Sequence, residues 1–248
     1  MLSGHLDEIF YSIQGEGAEL GRPHLFCRFG GCPLRCVYCD TPRSWQQQAQ
    51  YELHYCDTTQ RFDNPVSVLT IVDQLSSLLE PFAIEPSKVC LSLTGGEVLQ
   101  QPEFAEQIAK AWPGRVLLET SGSSCKPFDQ IASSFDMVSL DWKTPSLMSN
   151  DLLSEHKQCL LSLAHLEVDS QVKLVVAATT TDDEVYELFD FLLANKLDIP
   201  IYLQPLTKVA LSPAPPTGAQ MLKWLTKGAA QDLNVRVVPQ VHPILQAR

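Results

Sequence analysis

The sequence is poor in basic residues: 18 Lys and Arg stand against 29 Asp and Glu, and the formal net charge is −11 over 248 residues. This balance excludes the overall basic surface that most nucleic-acid-binding proteins present to phosphate. Charged residues make up 19% of the chain and hydrophobic residues 45%. These proportions exclude an intrinsically disordered chain and predict a large apolar core.

Long apolar runs are also missing. A stretch such as residues 174–178 is far too short to span a bilayer. Residues 1–8 lack the basic and apolar regions of a signal peptide. We therefore expect a soluble, cytoplasmic protein. Its eight cysteines should then be free thiols or metal ligands rather than a disulfide framework.

Short apolar runs alternate with amphipathic segments along the chain, which is typical of parallel βαβ units. Strands are predicted over residues 24–29, 88–94, 115–120, 137–141, 172–178, 201–204 and 235–238, and helices begin near residues 68, 102, 151, 181 and 218. About six such units fit the length, so an α/β fold with an incomplete (partial) TIM-type barrel or an open doubly wound sheet is expected. We expect a single domain over residues 1–248, with a polar insertion at residues 46–65.

In both architectures the ligand site lies where the parallel strands end. The polar residues that follow the predicted strands should therefore meet at one rim. They are Cys32, Cys36 and Cys39, then residues 95–97, 120–122 and 141–143, and Gln204.

Three of the cysteines, Cys32, Cys36 and Cys39, lie in one predicted loop with a C-x3-C-x2-C spacing. Three thiolates on one loop can hold three corners of a 4Fe–4S cluster and leave the fourth iron open to another ligand. A zinc site completed by Cys27 or His24 is an alternative, although structural zinc sites often use two C-x2-C pairs. A redox pair of Cys36 and Cys39 is a second alternative, which leaves Cys32 unexplained.

The cysteine spacing, with Tyr38 before the last cysteine, resembles the cluster motif of the radical S-adenosylmethionine superfamily. Residues 94–97, Thr-Gly-Gly-Glu, resemble the superfamily's Gly-Gly-Glu motif, whose glycines let the backbone approach a ligand closely. Further segments resemble the 7-carboxy-7-deazaguanine synthases of the queuosine pathway, in the same order along residues 8–245. They are EIFYSIQGEG at 8–17, FCRF at 26–29, CDT at 39–41, ETSG at 119–122, DWKTPS at 141–146, YLQPL at 202–206 and VPQVH at 238–242.

The resemblance implies a radical enzyme built on a partial barrel. In that family a 4Fe–4S cluster binds S-adenosyl-L-methionine at its open iron, and reductive cleavage gives a 5′-deoxyadenosyl radical. The radical abstracts hydrogen from C6 of 6-carboxy-5,6,7,8-tetrahydropterin. Ring contraction with loss of ammonia then gives 7-carboxy-7-deazaguanine. The implied cofactors are therefore the cluster, S-adenosyl-L-methionine and Mg2+.

Matched residue by residue, the resemblance assigns the cluster to Cys32, Cys36 and Cys39, and Mg2+ to Thr41. The residues matched to cofactor-binding segments are Tyr38, Asp40, Gly96, Asp141, Trp142, Lys143, Gln204, Pro205, Leu206 and Thr207. The residues matched to substrate-binding segments are Ile13, Gln14, Gly15, Glu16, Arg28, Thr94 and, near the C-terminus, Gln240, with His242 beside it.

Several of these side chains also have a simpler interpretation, which the sequence leaves open. Thr41 could cap a turn, and Arg28 could form a surface salt bridge. Lys143 could be a solvated loop lysine, and His242 an ordinary surface histidine.

Two positions depart from the family pattern, since Val98 replaces the usual Pro and Ser121 replaces the frequent Asn.

The resemblance further implies a small-molecule pterin substrate, a homodimer and a flavodoxin-type electron donor, with no nucleic-acid or membrane partner. Two other functions remain as alternatives. One is another small radical enzyme, such as an activase for a glycyl-radical enzyme, and the other is a non-catalytic zinc or redox protein.

Overall fold

The computed structural model describes residues 2–55, 58–148, 151–209 and 212–247, and its fold is built around a ten-stranded sheet. The strands are β1 Ser3–Gly4, β2 Leu6–Ile13, β3 Pro23–Phe29, β4 Gln50–Tyr55, β5 Thr58–Asp63, β6 Val66–Ser67, β7 Cys90–Gly95, β8 Val116–Thr120, β9 Met137–Asp141, β10 Asp169–Val176, β11 Ile201–Pro205 and β12 Val235–Val237. The helices are α1 Val68–Ser77, α2 Pro102–Ala111, α3 Cys125–Ile131, α4 Leu153–Leu163, α5 Asp182–Asn195, α6 Gly218–Ala229 and α7 His242–Leu245.

Seven neighbouring strands are parallel and follow the order β12-β11-β10-β9-β8-β7-β3. One helix connects each pair of these strands along the chain, from α1 between β3 and β7 to α6 between β11 and β12. The sheet therefore contains the βα units that the sequence predicts. Within the described residues, β12 and β5 are the free edges of the sheet, so the barrel is not closed.

The six connecting helices pack against one face of the sheet. They all contribute to the same apolar core, for example through Ile71 of α1, Phe128 of α3 and Trp224 of α6. A doubly wound sheet would divide its helices between two faces. The structure therefore confirms the partial barrel.

Side-chain alternation along the parallel strands separates this core from a polar inner face. In β7, Leu91 and Leu93 enter the core, whereas Ser92 makes hydrogen bonds on the opposite face. In β10, Leu174 enters the core and Lys173 forms ion pairs on the opposite face. Parallel strands that are covered on both faces are usually apolar throughout, so these polar positions mark the inner face as a ligand-binding face.

Capping residues fix the starts of the last two long helices. Thr181 and Glu184 form a reciprocal capping box at α5, and Thr217 and Gln220 form another at α6. Each box satisfies backbone N–H groups that the first helical turn leaves without partners. Both predicted helix starts are confirmed.

No helix in the described ranges is long and apolar enough to cross a membrane.

The N-terminal segment forms a strand that the sequence analysis did not predict. β2 pairs antiparallel with β3, and the register shifts between Leu6 and Glu8. Ile9 enters the apolar core, whereas the neighbouring Phe10 lines the pocket on the inner face. Because the register shifts and apolar side chains cover both faces, the period-two signal of a half-buried strand is absent. The seven-residue helix α3 was also not predicted.

Residues 46–65, the predicted polar insertion, contain two strands that the sequence analysis did not predict. β4 pairs with β2 in parallel and with β5 in antiparallel, so both strands extend the main sheet. Tyr51 and Leu53 are buried, with 0% and 6% exposure, and alternate with polar side chains. Two alternating apolar residues are too weak a pattern to indicate a strand among so many Gln and Asp. Cys56, within this segment, lies outside the described residues.

The central strand β8 offers a direct test of the core. Leu118 is 0% exposed, and Leu118→Ala should lower the free energy of unfolding by about 3 kcal/mol, because it removes buried methyl groups and leaves a cavity. Chemical denaturation measures this value. The matched control Leu222→Ala, at a side chain that is 63% exposed, should change it by less than about 0.5 kcal/mol. Equal losses in the two variants would contradict the assigned core.

Candidate active site

A pocket opens where the parallel strands end, at the predicted rim. Segments from both ends of the chain and from six parallel strands form its walls. The predicted site residues that line it are Ile13, Gln14, Gly15, Glu16, Arg28, Cys32, Cys36, Tyr38, Cys39, Asp40, Thr41, Thr94, Gly96, Asp141, Lys143, Gln204, Leu206, Thr207, Gln240 and His242.

Backbone contacts hold the cysteine loop against the end of β7. The N–H of Gly31 donates to Ser44 O at 2.8 Å, and the N–H of Glu97 donates to Gly31 O at 2.8 Å. A Cβ atom on Gly96 would lie 2.4 Å from Gly31 O and 2.6 Å from Ser44 O. The second glycine of the Gly-Gly-Glu segment is therefore needed for this close approach of two backbones.

Gly95 has a different requirement, because its φ is +127°. L-amino acids with a side chain rarely adopt this value. The two glycines together turn the chain from β7 directly under the cysteine loop. Arg35 stabilises the loop from the other side, since its guanidinium donates to Cys32 O at 2.8 Å and to Leu34 O at 2.6 Å.

The thiols of Cys32, Cys36 and Cys39 are free, partly exposed and on the wall of the same pocket. Burial raises the pKa of Cys32 to about 11 and also raises the pKa of Cys36. Both thiols are therefore protonated at neutral pH until a cation binds and stabilises the thiolate.

The ligand set fits a 4Fe–4S cluster better than a zinc ion. In the described residues, no three His, Cys, Asp or Glu side chains converge as ligands of a single ion, whereas in a cluster each cysteine binds a different iron. The two candidates for a fourth zinc ligand lie elsewhere. Cys27 is in the apolar core, and His24 bonds to Ser92 Oγ through Nδ1 at 2.8 Å.

The buried carboxylate of Glu97 connects the loops that follow β7 and β8. It accepts hydrogen bonds from Thr120 Oγ1 at 2.6 Å, from the N–H of Ser121 at 2.9 Å and from the N–H of Leu99 at 3.0 Å, and it also contacts the Ser121 hydroxyl. With these donors satisfied inside the protein, Glu97 acts as a positioning residue for both loops.

Arg28 lies on the pocket wall and is not the surface salt bridge that the sequence left open. Its Nε donates to Glu8 Oε1 at 2.8 Å, and the side chain is 17% exposed. Burial alone would lower the pKa of Arg28, but the Glu8 carboxylate raises it. Phe10 and Phe26 stack beside it with ring centroids 4.9 Å apart. The wall thus combines a fixed cation with flat aromatic surface.

Sequence analysis missed the site carboxylate Glu119. It accepts a hydrogen bond from Gln14 Nε2 at 2.7 Å and another from Thr94 Oγ1 at 3.1 Å. Burial raises the pKa of Glu119 above its usual value. An acidic residue near the end of an apolar strand, after Leu117 and Leu118, was the available signal.

Lys173 was missed as well, although a lysine inside the apolar run of β10 is a clear signal. It forms ion pairs with Glu16 and, at 3.0 Å, with Asp141 Oδ1. Burial alone would lower the pKa of Lys173, but the Asp141 and Glu16 carboxylates raise it above its usual value. The same environment lowers the pKa of Asp141: burial opposes this shift, and Lys143 and Lys173 outweigh it.

Lys143 is not solvated. Its Nζ lies 2.6 Å from Asp141 Oδ2 and 5.4 Å from the centroid of the Tyr38 ring, and the side chain is 8% exposed. Burial alone would lower the pKa of Lys143, but the Asp141 carboxylate raises it well above the usual value.

Thr41 begins the short 3-10 turn Pro42–Trp45, but its side chain makes no capping hydrogen bond there.

The C-terminal segment docks onto the loop that follows β2. Gln240 Nε2 and Gln204 Nε2 both donate to Glu16 Oε1, the latter at 3.1 Å. A Cβ atom on Gly15 would lie 2.6 Å from His242 Nδ1, and His242 Nε2 lies 3.7 Å from Asp40 Oδ2. His242 is therefore a wall residue of the pocket rather than an isolated surface histidine.

Two predicted residues do not line the pocket. Trp142 packs on the helical side, with its ring centroid 5.4 Å from that of His156 and 6.4 Å from that of Phe191. Pro205 pairs with Val176 at the end of β11. Alternation explains both positions, because Asp141 and Gln204 occupy the inner face and the next residue in each case faces the other way.

This arrangement places three thiols for a soft metal cluster beside two lysines, one arginine and several carboxylates. Two relatives match nearly the whole chain. The chain is 33% identical, over an alignment of 262 residues, to 7-carboxy-7-deazaguanine synthase of Methanothermobacter thermautotrophicus, covering 97% of this chain and 96% of the relative. The chain belongs to the 7-carboxy-7-deazaguanine synthase family. The family's protein in Geobacter sulfurreducens is 30% identical over 249 residues, covering 96% and 95%.

Solved structures show the same fold. QueE from Escherichia coli superimposes with a TM-score of 0.62 at 19% identity, covering 95% of this chain and 93% of that one. The protein anSMEcpe, solved with bound AdoMet, superimposes with a TM-score of 0.53 at 12% identity, covering 84% of this chain and 58% of that one. No protein-family model matches the chain.

The ion pairs of Lys173 generate a stability prediction. Lys173→Met leaves the partly buried Glu16 and Asp141 carboxylates short of a cation, and should lower the free energy of unfolding by about 3 kcal/mol at pH 7. The pKa of Asp141 is lower in the folded state than its usual value of 3.8. Its ion pair therefore contributes fully to the free energy of unfolding above pH 3.8, and this contribution is lost as the pH falls through the lower folded pKa. The difference between wild type and variant should therefore narrow in acid.

Denaturant titrations at pH 7 and below pH 3.8 check this prediction. The matched control is Lys126→Met, at an exposed lysine on α3, which should stay within about 0.5 kcal/mol of wild type at both pH values. A pH-independent loss in the Lys173 variant would show that lost packing, not the ion pairs, accounts for the effect.

Proposed function

We propose that this chain catalyses ring contraction of 6-carboxy-5,6,7,8-tetrahydropterin to 7-carboxy-7-deazaguanine with loss of ammonia, as a radical S-adenosylmethionine lyase of 7-deazapurine biosynthesis. Family membership at 33% identity over nearly the full chain supports this reaction. The observation that carries it is the common pocket: the three motif cysteines share one cavity with Gln14 and Arg28 of the family's N-terminal segments.

In this proposal Cys32, Cys36 and Cys39 hold the 4Fe–4S cluster. When bound, the cluster supplies the electron that cleaves S-adenosyl-L-methionine and generates the radical. Gly96 lines the same pocket and would offer its backbone groups to the cofactor, and the lack of a side chain lets it pack against the cysteine loop. Residues with polar or backbone groups on the same wall would bind the rest of the cofactor: Tyr38, Asp40, Asp141, Lys143, Gln204, Leu206 and Thr207.

The substrate would lie deeper, against the β2–β3 wall. Arg28 offers a guanidinium fork that matches the substrate carboxylate. Gln14, Thr94 and Glu119 form a connected set of donors and acceptors that matches the polar edge of a pterin. Thr41 lies on the pocket wall, where its hydroxyl oxygen would coordinate a Mg2+ ion.

We also propose a homodimer, a flavodoxin-type electron donor and a cytoplasmic location, all from the family resemblance. One observation supports the electron donor and another supports the location. Val37, between two cluster cysteines, is 46% exposed, so an electron donor can approach the cluster loop. In the described residues the seven cysteines are free thiols, which is typical of a reducing compartment.

One anaerobic assay tests the function. The cluster is reconstituted, S-adenosyl-L-methionine, Mg2+, a reductant and 6-carboxytetrahydropterin are added, and products are identified by mass spectrometry. We expect 7-carboxy-7-deazaguanine and ammonia. Formation of 5′-deoxyadenosine without that product would reject this substrate and retain the radical chemistry. A colourless protein that binds zinc and no iron would reject both.

Cys36→Ala tests the cluster assignment. We expect it to abolish cluster assembly and all cleavage of S-adenosyl-L-methionine, because two thiolates cannot hold the cluster at three corners. Iron and sulfide content and the visible absorbance of the reconstituted protein measure this. Cys90→Ala is the matched control, since Cys90 lies on β7 outside the pocket wall, and it should keep a full cluster. A full cluster in Cys36→Ala would show that the ligand assignment is wrong.

Arg28→Gln tests the substrate assignment. It should leave cluster content unchanged and raise the KM for 6-carboxytetrahydropterin by roughly 100-fold, since a buried charge-assisted hydrogen bond to the carboxylate is lost. Steady-state product formation measures KM. The control Arg22→Gln removes an arginine that is 64% exposed and should keep KM within about twofold. A wild-type KM in Arg28→Gln would remove Arg28 from the substrate site.

A further inference from the structure

The hairpin formed by β4 and β5 has no role in the site described so far, yet it contacts Arg28 through one intermediate residue. We propose that His54 of this hairpin is a positioning residue, which orients Arg28 for the substrate carboxylate by holding Glu8. The proposal rests on the proposed function, because it concerns the same substrate carboxylate.

Strand register places the three residues on the same face of the sheet, with Glu8 level with Arg28 and His54 diagonal to Glu8. β4 pairs with β2 so that Glu8 lies opposite Glu52 and Phe10 lies opposite His54. β2 in turn pairs with β3 so that Glu8 lies opposite Arg28. Phe10 and Arg28 both line the pocket. The hairpin therefore extends the inner face beyond β2.

The two oxygens of the Glu8 carboxylate connect Arg28 to His54. Oε1 lies 2.8 Å from Arg28 Nε, and Oε2 lies 3.0 Å from His54 Nε2. Because Nε2 faces a carboxylate, it carries a hydrogen and donates it. The side chains of His54 and Glu8 are 5% and 12% exposed, so water competes little with these bonds.

The imidazole of His54 is held at its other nitrogen as well. Nδ1 lies 3.0 Å from Thr59 Oγ1, across the hairpin on β5. Arg43 links the same hairpin to β2, with Nε 3.0 Å from Asp7 Oδ1 and a terminal nitrogen 2.8 Å from Glu52 Oε2. The ring thus sits in a fixed frame rather than on a free loop.

This geometry restricts the rotation of the Arg28 guanidinium. A carboxylate that is hydrogen-bonded at only one oxygen can rotate about the bond to its carboxyl carbon. The Glu8 carboxylate is hydrogen-bonded at both oxygens, so this rotation is blocked. A guanidinium held through Nε still has its terminal nitrogens to offer a second carboxylate in a bidentate pair. Loss of the His54 hydrogen bond should therefore weaken binding of a carboxylated ligand without damage to the rest of the pocket.

Two ligands distinguish positioning from general stabilisation. Cluster-loaded protein without reductant is titrated by anaerobic calorimetry with 6-carboxytetrahydropterin and with tetrahydropterin that lacks the carboxylate. We expect His54→Ala to raise the Kd of the carboxylated ligand about tenfold and to leave the Kd of the other ligand within about twofold. In turnover, KM should rise with kcat near wild type.

Three further variants complete the test. His54→Gln retains an amide donor at the position of Nε2, and should restore the Kd to within about threefold of wild type. Thr59→Val removes only the contact to Nδ1 and should weaken carboxylate binding about two- to threefold. Gln50→Ala, the matched control, removes an exposed hydrogen bond to Asp63 on the same hairpin and should leave both Kd values unchanged.

The outcomes separate this inference from the proposed function. If His54→Ala weakens both ligands equally, or neither, while wild type converts the carboxylated pterin, the positioning role is wrong and the function stands. If His54→Ala is unstable, the other two variants decide. A Kd for the carboxylated ligand equal to wild type in Thr59→Val would show that the positioning role is wrong, and so would a Kd in His54→Gln that rises well beyond threefold. If wild type does not bind the carboxylated pterin, the proposed function fails and this inference fails with it.

Discussion

The alternation of side chains along parallel strands is the constraint on which the site depends. The helices cover one face of the sheet and fill it with a continuous apolar core, so every second residue of each strand must face the inside of the curve. Many of those inner positions are polar: Ser92 and Thr94 on β7, Glu119 on β8, and Gln171 and Lys173 on β10. The inner face therefore presents an array of donors and acceptors whose spacing is fixed by backbone hydrogen bonds.

Such an array is stable only if its charges are paired inside the protein, because unpaired buried charges are costly. Glu16 meets Lys173 and the amides of Gln204 and Gln240, while Asp141 is shared by two lysines. The resulting network needs little rearrangement when a ligand arrives. Preorganised dipoles of this kind favour binding, because their ordering has already occurred during folding.

The parallel core and the cysteine loop could be predicted because their signals are local. Apolar runs, capping residues such as Thr181 and the C-x3-C-x2-C spacing all lie within a few positions of the feature that they indicate. The contacts of Lys173 and Glu119 depend on partners far along the chain, although each was visible as a charge within an apolar strand. β4 was missed because its register with β2, not its composition, makes it part of the sheet.

An open barrel has to fill its interior in a different way from a closed one, in which layers of side chains pack the centre. Here the segment after β2 enters the curve. Gln14 bonds to Ser92 and Glu119, and the N–H of Ala18 donates to Gln171 Oε1 at 2.7 Å. Gly17, with φ of +63°, lets the chain turn directly against Gln171, where a Cβ atom would lie 2.3 Å from its amide nitrogen. One N-terminal segment thus closes the floor of the pocket, which explains why residues so far from the cluster motif belong to the same site.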